Sequence, residues 1–483
     1  MKTDSGATQG RLSGNLGVRE IIFMVMAAAA PLTVVSGNVP LAIAQGNGPW
    51  AWTGFVAAAL VLLLFSVGFV AMTPFMVEAG AFFTYIRTGL GSRIGKGGAF
   101  LALLTYTAIQ LGVYGFFGWA VDDAVRQWGG PHLPWSLYAA GILMVVGFLG
   151  YRDIELSSRV LGVALVLEIG VVLVMNAAIV WHPLPVPPPV PTTPAEPTGP
   201  FAVSLLFAIT GFIGFEATAI FRDEARDPER TIPRATYGAV LIIGLFYAFS
   251  CWCMILAWGQ NSVTAIAHGY LASGGNMVLE TAARYVGSGL RDIMEVLLLT
   301  SLFACLLSFH NIIARYQLVL GREGVLPAHL ARTHAVHASP HTSSVVQTIT
   351  AAVLLVLAAL SGADPLVTIF GSMAGISTVG IVLLMILTSC AVVAFFCNRR
   401  MPAGKFQTTW CPVFSVFVLA CVLYIILENF TTITGLSLGV STALAVLPFL
   451  AVALGYFMGK DDGVRLASVP DGKPSLHEGE VFR

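Results

Sequence analysis

AAAAPLTVVSGNVPLAIAQGNG (residues 27–48) and LLFAITGFIGFEATAIF (205–221) are two apolar stretches, each interrupted near its middle. Pro31, Gly37 and Pro40 fall inside the first, and Ser36 and Asn38 flank Gly37. Gly211 and Gly214 fall inside the second, beside Thr210. Each stretch has the roughly 20 residues that a helix needs to cross a bilayer. Glycine and proline release backbone groups from the helix ladder. An unsatisfied amide is costly in lipid, so such a break persists only where it is buried or lines a cavity. It leaves half-helices whose exposed N–H ends attract an anion and whose free carbonyls attract a cation. An α-amino acid carries both charges on adjacent groups. For one such break, a simple kink or a small-residue packing seam is an equally good reading. Two breaks at matched positions favour a paired binding site.

Outward from these two stretches, apolar runs recur along the whole chain. The 483 residues are 57% hydrophobic and 10% charged, against roughly 25% charged in a soluble domain, and mean hydropathy is +0.83. Twelve spans are read near 21–44, 50–74, 97–125, 134–150, 155–181, 201–221, 235–258, 290–312, 344–361, 366–396, 411–428 and 432–458. With these spans, 22 of the 25 Lys and Arg residues fall on one side with the termini. Arg126, Arg284 and Arg291 alone fall on the other. By the positive-inside rule both termini are expected to be cytoplasmic, in a multi-pass protein of the cell membrane. The first apolar run is too long for a cleaved signal, whose apolar region is about 7–15 residues. The interrupted spans are the first and the sixth, so a repeat of five spans would superpose them. The expected organisation is an N-terminal tail (1–20), a first repeat (21–181) and a proline-rich outer loop (182–200). A second repeat (201–396), two further spans (397–458) and a C-terminal tail (459–483) follow.

Other function classes find little support. Lys+Arg and Asp+Glu balance at 25 each, so no basic excess points to nucleic acid. The seven cysteines follow no disulfide or metal spacing and are read as packing residues. His334, His337 and His341 are spaced like ligands but lie in a short polar loop; no metal and no cofactor is expected. A channel would show a filter loop or rings of like charge. A polytopic enzyme would gather a nucleophile, metal ligands or paired acids. Neither pattern is present, which leaves a secondary transporter, or a receptor of the same fold that carries nothing.

Three further motifs give a resemblance. FIGFEATAIFRDEARDPERTIPRA (212–235) holds a glycine-interrupted span, a Glu, an acidic loop and an Ile-Pro-Arg-Ala start to span 7. EAGAFFTYIRTGLG (78–91) follows span 2, and FHNIIARYQLVLGREGVLP (309–327) follows span 8 as an amphipathic loop. In this order they resemble the amino acid–polyamine–organocation permeases. The resemblance implies an all-α membrane fold of five-plus-five inverted repeats, shared with sodium-coupled leucine transporters, with two extra C-terminal helices. It implies import or exchange of an amino acid or related amine. Proton-coupled import by alternating access is the expected mode, with substrate exchange, polyamine transport and sodium coupling as alternatives. Where that family often has Gly-small-Gly-Ile in span 1, this chain has Ser36-Gly37-Asn38-Val39, which adds a side-chain amide beside the backbone site.

The expected roles are specific. Ser36, Gly37 and Asn38 bind the substrate carboxylate or its equivalent. Carbonyls around Thr210 and Gly211 take the ammonium, with Gly214 completing the break and Phe212 or Phe215 closing over it. Tyr106, Gln110 and Tyr114 share one face of span 3 and are expected to line the cavity. Glu216 follows the second break and Glu168 sits mid-way along span 5 with no cation nearby in sequence. A bare charge there costs at least about 2.5–3.5 kcal/mol, so Glu168 is expected to stay neutral until a cavity opens to it and to carry the proton, with a structural hydrogen bond as the alternative. Glu216 is read as a second proton-coupling residue, which caps the half-helix, takes a proton or senses pH, with structural hydrogen bonding as its alternative. For sodium, span 8 offers Thr300, Ser301 and Ser308. Asp122 and Asp123 are read as an outer lure for amines, and Glu78, Arg87 and Arg322 as an inner ion-pair gate.

Overall fold

A computed structural model describes residues 16–76, 82–152, 158–185, 198–218, 225–333, 340–399 and 404–458. The tails, most of the proline-rich loop, Glu78, Arg222, Asp223, Glu224, His334 and His337 lie outside them. Among the described residues there is no β-strand. Ten helices are long and apolar enough to cross a membrane: Gly48–Phe75, Ser92–Gln127, Gly162–Trp181, Phe201–Thr218, Pro228–Trp258, Ser288–Arg322, His341–Leu360, Pro365–Asn398, Phe406–Glu428 and Leu438–Met458. Val18–Met26 and Pro31–Ala44 meet at 41° and together make span 1, and Trp135–Tyr151 makes a shorter span 4. These twelve elements fall on the twelve stretches read from the sequence.

The packing obeys a two-fold rule. Spans 1, 2, 3 and 4 pack on spans 6, 7, 8 and 9 respectively. Span 5 packs on spans 1, 7 and 8, while span 10 packs on spans 6, 2 and 3. Exchanging each span with the one five places later reproduces these pairs, as an inverted repeat requires, although span 1 also packs on span 8. Spans 11 and 12 lie outside this set. Span 11 rests on spans 2 and 10, and span 12 runs along span 3, where Gly97 and Gly455 allow the backbones to touch.

Three sequence expectations need correction. Span 1 does not break at Gly37. It breaks at Ala30, held at φ 47°, immediately before Pro31. A proline bars its predecessor from the right-handed helix and has no N–H of its own, whereas Ser36-Gly37-Asn38 is absorbed into one widened turn, Val34–Asn38. The segment read as a loop after span 8 is the span itself, helical to Arg322. The stretch between spans 7 and 8, residues 259–289, is expected to be a loop from the span bounds alone, yet it holds helices Val263–Ser273 and Met277–Tyr285. Asn276 caps the second through its side-chain oxygen to Val278 N and Leu279 N.

Candidate substrate and coupling site

Beyond Pro31, the second half of span 1 begins anew, and its first backbone donor is Leu32 N. That N–H donates to Glu168 Oε2 of span 5 at 3.4 Å. Ser301 of span 8 donates to the same oxygen at 2.9 Å, and Thr33 Oγ1 lies 3.3 Å from Ser301 Oγ. Tyr247 of span 7 donates to the carbonyl of Ala29, on the other side of the break, at 3.3 Å. Glu168 is thus not alone in the bundle: it stands at the open N-terminus of a half-helix, where the peptide dipoles favour negative charge. Four spans meet there through polar groups, and all of these side chains are buried. Of the other span 8 hydroxyls, Thr300 is exposed and bonds its own helix at Leu297 O, and Ser308 is half-buried.

The sixth span ends its first helix at Thr210 and tightens into turns over 211–218. Gly214 takes φ 111°, a backbone position that side chains avoid. Its N–H turns to Glu216 Oε2 at 2.9 Å, and Tyr106 of span 3 donates to Glu216 Oε1 at 2.5 Å. Glu216 therefore caps its own break and ties it to span 3. The Thr210 carbonyl already accepts from Ile213 N at 3.2 Å, which leaves its second lone pair for a ligand. The Thr210 hydroxyl pairs with Thr378 of span 10 at 2.6 Å.

The widened turn of span 1 is joined directly to the end of the first helix of span 6. Asn38 Nδ2 donates to the carbonyl of Phe207 in the last turn before the second break, at 2.8 Å. A methyl added to Gly211 would stand 2.7 Å from Val34 Cγ1, and one added to Gly37 would stand 2.5 Å from Phe116 Cε1 of span 3. Both glycines are contact points between spans. The Ser36 hydroxyl, in the widened turn, is buried with no hydrogen-bond partner, and so is the Tyr114 hydroxyl on span 3. Buried polar atoms of this kind are where a ligand or water completes the bonding.

Other residues singled out from the sequence face elsewhere. Gln110 reaches the Leu306 carbonyl (3.3 Å) and accepts from Gln347 (2.7 Å), which in turn accepts from Gln317 (3.3 Å). This chain ties spans 3, 8 and 9. Phe212 packs edge-on to Tyr247 and Phe215 edge-on to Phe65, so both rings fill the seam with spans 7 and 2. Asp122 and Asp123 are not a solvated lure. They are buried and paired, Asp122 with Arg126 (3.2 Å) and His132 (2.9 Å), Asp123 with Arg126 (3.7 Å). Arg87 pairs with Glu323 at 2.6 Å, while Arg322 is exposed. The outer helix Met277–Tyr285 packs over the widened turn of span 1, and Arg291 holds it through Glu280 at 3.0 Å. Thr33, Tyr247 and Thr378 escaped sequence reasoning. Thr33 alone carried a signal, two residues beyond the proline that starts the half-helix.

Comparison with known proteins agrees with this geometry. The chain is similar to "Branched-chain amino acid permease BcaP" of Bacillus subtilis (strain 168), 23% identical over 62% of this chain and 65% of that protein. It is similar to "D-serine/D-alanine/glycine transporter" of Escherichia coli (strain K12), 26% identical over 54% of this chain and 53% of that protein. It is also similar to "L-methionine/branched-chain amino acid exporter YjeH" of the same organism, 27% identical over 55% and 60%. The match spans less than two thirds of the length of each of these relatives. The profile of the family described as "Amino acid permease", by contrast, matches residues 20–467, which take in all twelve spans and both breaks. By that match, this chain belongs to the amino acid permease family.

Proposed function

We propose that the protein is a secondary transporter that moves an amino acid or related amine across the cell membrane by alternating access, with both termini cytoplasmic. Its solute is held between the widened turn of span 1 and the break of span 6. Most of its relatives are named for neutral amino acids, branched-chain residues, glycine, D-serine, D-alanine and methionine, while one is named for cationic amino acids; a neutral amino acid is the first reading. The unpartnered Ser36 hydroxyl and the open lone pair of the Thr210 carbonyl supply a donor and an acceptor for a zwitterion.

One observation carries the coupling: Glu168 Oε2 accepts from Leu32 N of span 1 and Ser301 of span 8 at once. Both donors favour the carboxylate. When the half-helix of span 1 tilts away from spans 5 and 8, Glu168 loses the Leu32 N–H and keeps Ser301, so the two positions of span 1 differ in how well they hold its charged and its protonated form. Proton uptake and span movement are then one equilibrium. Oε2 takes both donors, which leaves Oε1 for the proton. The same oxygens, with Thr33 Oγ1 beside Ser301, are also a set that a sodium ion would accept, so sodium is the second reading.

The test is uptake of a radiolabelled amino-acid panel into proteoliposomes, with imposed proton or sodium gradients, for wild type and Glu168→Gln. Gradient-driven uptake by protons alone, with Glu168→Gln keeping only exchange, is the expected result. Drive by sodium alone would replace the proton with the ion. Proton-driven accumulation that survives in Glu168→Gln would sink the role of Glu168.

A further inference from the structure

Away from both breaks, a cavity of about 330 Å³ opens between spans 2, 7, 10 and 11. It lies at the end of the bundle that the Lys/Arg asymmetry assigns to the cytoplasm. Its lining is graded along the membrane normal. Val67 and Val70 of span 2 and the ring of Tyr237 of span 7 line the deep part. Glu229, in the first turn of span 7, and Gln407, in the first turn of span 11, line the rim. From Glu229 to Tyr237 the helix rises about 12 Å, the depth of a headgroup and the first acyl carbons. Phe406 and Trp410 on the rim turn of span 11 are 67% and 69% exposed, as aromatic anchors at the membrane–water boundary are.

The rim is chemically selective. Glu229 is exposed and, among the described residues, is the charged one of the lining. Pro233, also in the wall, lies inside the span 7 helix; having no N–H, it withholds the donor that would close the ladder on the Glu229 carbonyl. The Glu229 carboxylate is an acceptor at the rim for a primary ammonium.

We propose that this cavity binds an aminophospholipid of the cytoplasmic leaflet, its ammonium on Glu229 and its acyl region along Val67, Val70 and Tyr237. Span 2 packs on both span 7 and span 11, so the lipid sits in the seam where the repeat meets the two added helices. The site is independent of what the protein carries.

Native mass spectrometry of the purified full chain tests it, with dioleoyl phosphatidylethanolamine, phosphatidylcholine and phosphatidylglycerol added in equal amounts. Wild type is expected to retain the ethanolamine lipid preferentially. Loss of a charged hydrogen-bond partner in Glu229→Gln should reduce that retention about tenfold, and Glu229→Lys should shift preference to the glycerol lipid. Ala71→Phe, which fills the cavity from a wall position, should abolish retention of all three; if that variant does not fold, the two Glu229 variants decide. Equal retention of the three lipids by wild type, or retention unchanged in Glu229→Gln and Ala71→Phe, overturns the proposal.

Discussion

Replacing Gly37 by alanine tests the junction of spans 1 and 3 most directly. The added methyl would lie 2.5 Å from Phe116 Cε1 and 3.0 Å from Cζ, where ordinary contact begins at 3.4 Å. Relief requires the ring to move by nearly 1 Å. Phe116 is fully buried and packed on Trp119 (centroids 5.8 Å apart) and Phe370 (5.5 Å), so its movement displaces spans 3 and 10 together. Overpacking of this kind costs about 1–3 kcal/mol, which is roughly a 5- to 150-fold change in an equilibrium constant. The assay is paired: melting temperature of the purified protein, and initial uptake rate in proteoliposomes. Gly37→Ala should lower both. Adding Phe116→Leu, which removes the ring, separates two causes. If Gly37 serves packing alone, the double variant recovers stability and uptake together. If its backbone also meets the solute, stability returns and uptake does not. Unchanged melting and unchanged uptake in the single variant would refute the reasoning at its root.

Two further outcomes are expected. Asn38→Ala removes the 2.8 Å bond from span 1 to the Phe207 carbonyl; hydrogen bonds between membrane helices average about 0.6 kcal/mol and reach about 1.7, so a small fall in melting temperature should accompany a clear loss of uptake, and a variant that transports normally would show that the bond does not shape the site. Arg87→Ala breaks the 2.6 Å pair with Glu323, but the side chains are 31% and 23% exposed and such pairs contribute about 0.2–1 kcal/mol; melting should barely change while a cysteine probe placed near the cytoplasmic end of span 8 reacts faster, and an unchanged reaction rate would count against a gating role.

The sequence by itself determined the number of spans and which two of them are interrupted, and it carries the charge asymmetry from which an orientation is read. Those properties follow from lipid, which demands about 20 apolar residues per crossing, and from the charge asymmetry of the loops. Both are local sums along the chain and need no knowledge of neighbours. It also marked Glu168 and Glu216, because a carboxylate in an apolar run is conspicuous. It misplaced the first break, because glycine permits a change of backbone direction without forcing it, whereas a proline forces one on the residue before it. What those carboxylates touch was decided only in three dimensions. Leu32, Ser301 and Glu168 are more than 130 residues apart in sequence and meet because spans 1, 5 and 8 converge. Gln110 shares a helix face with Tyr106, yet one turns to span 9 and the other to Glu216. Periodicity gives the face of a helix. Which partner covers each turn of that face depends on where the neighbouring helices cross it, and that is a property of the packed bundle.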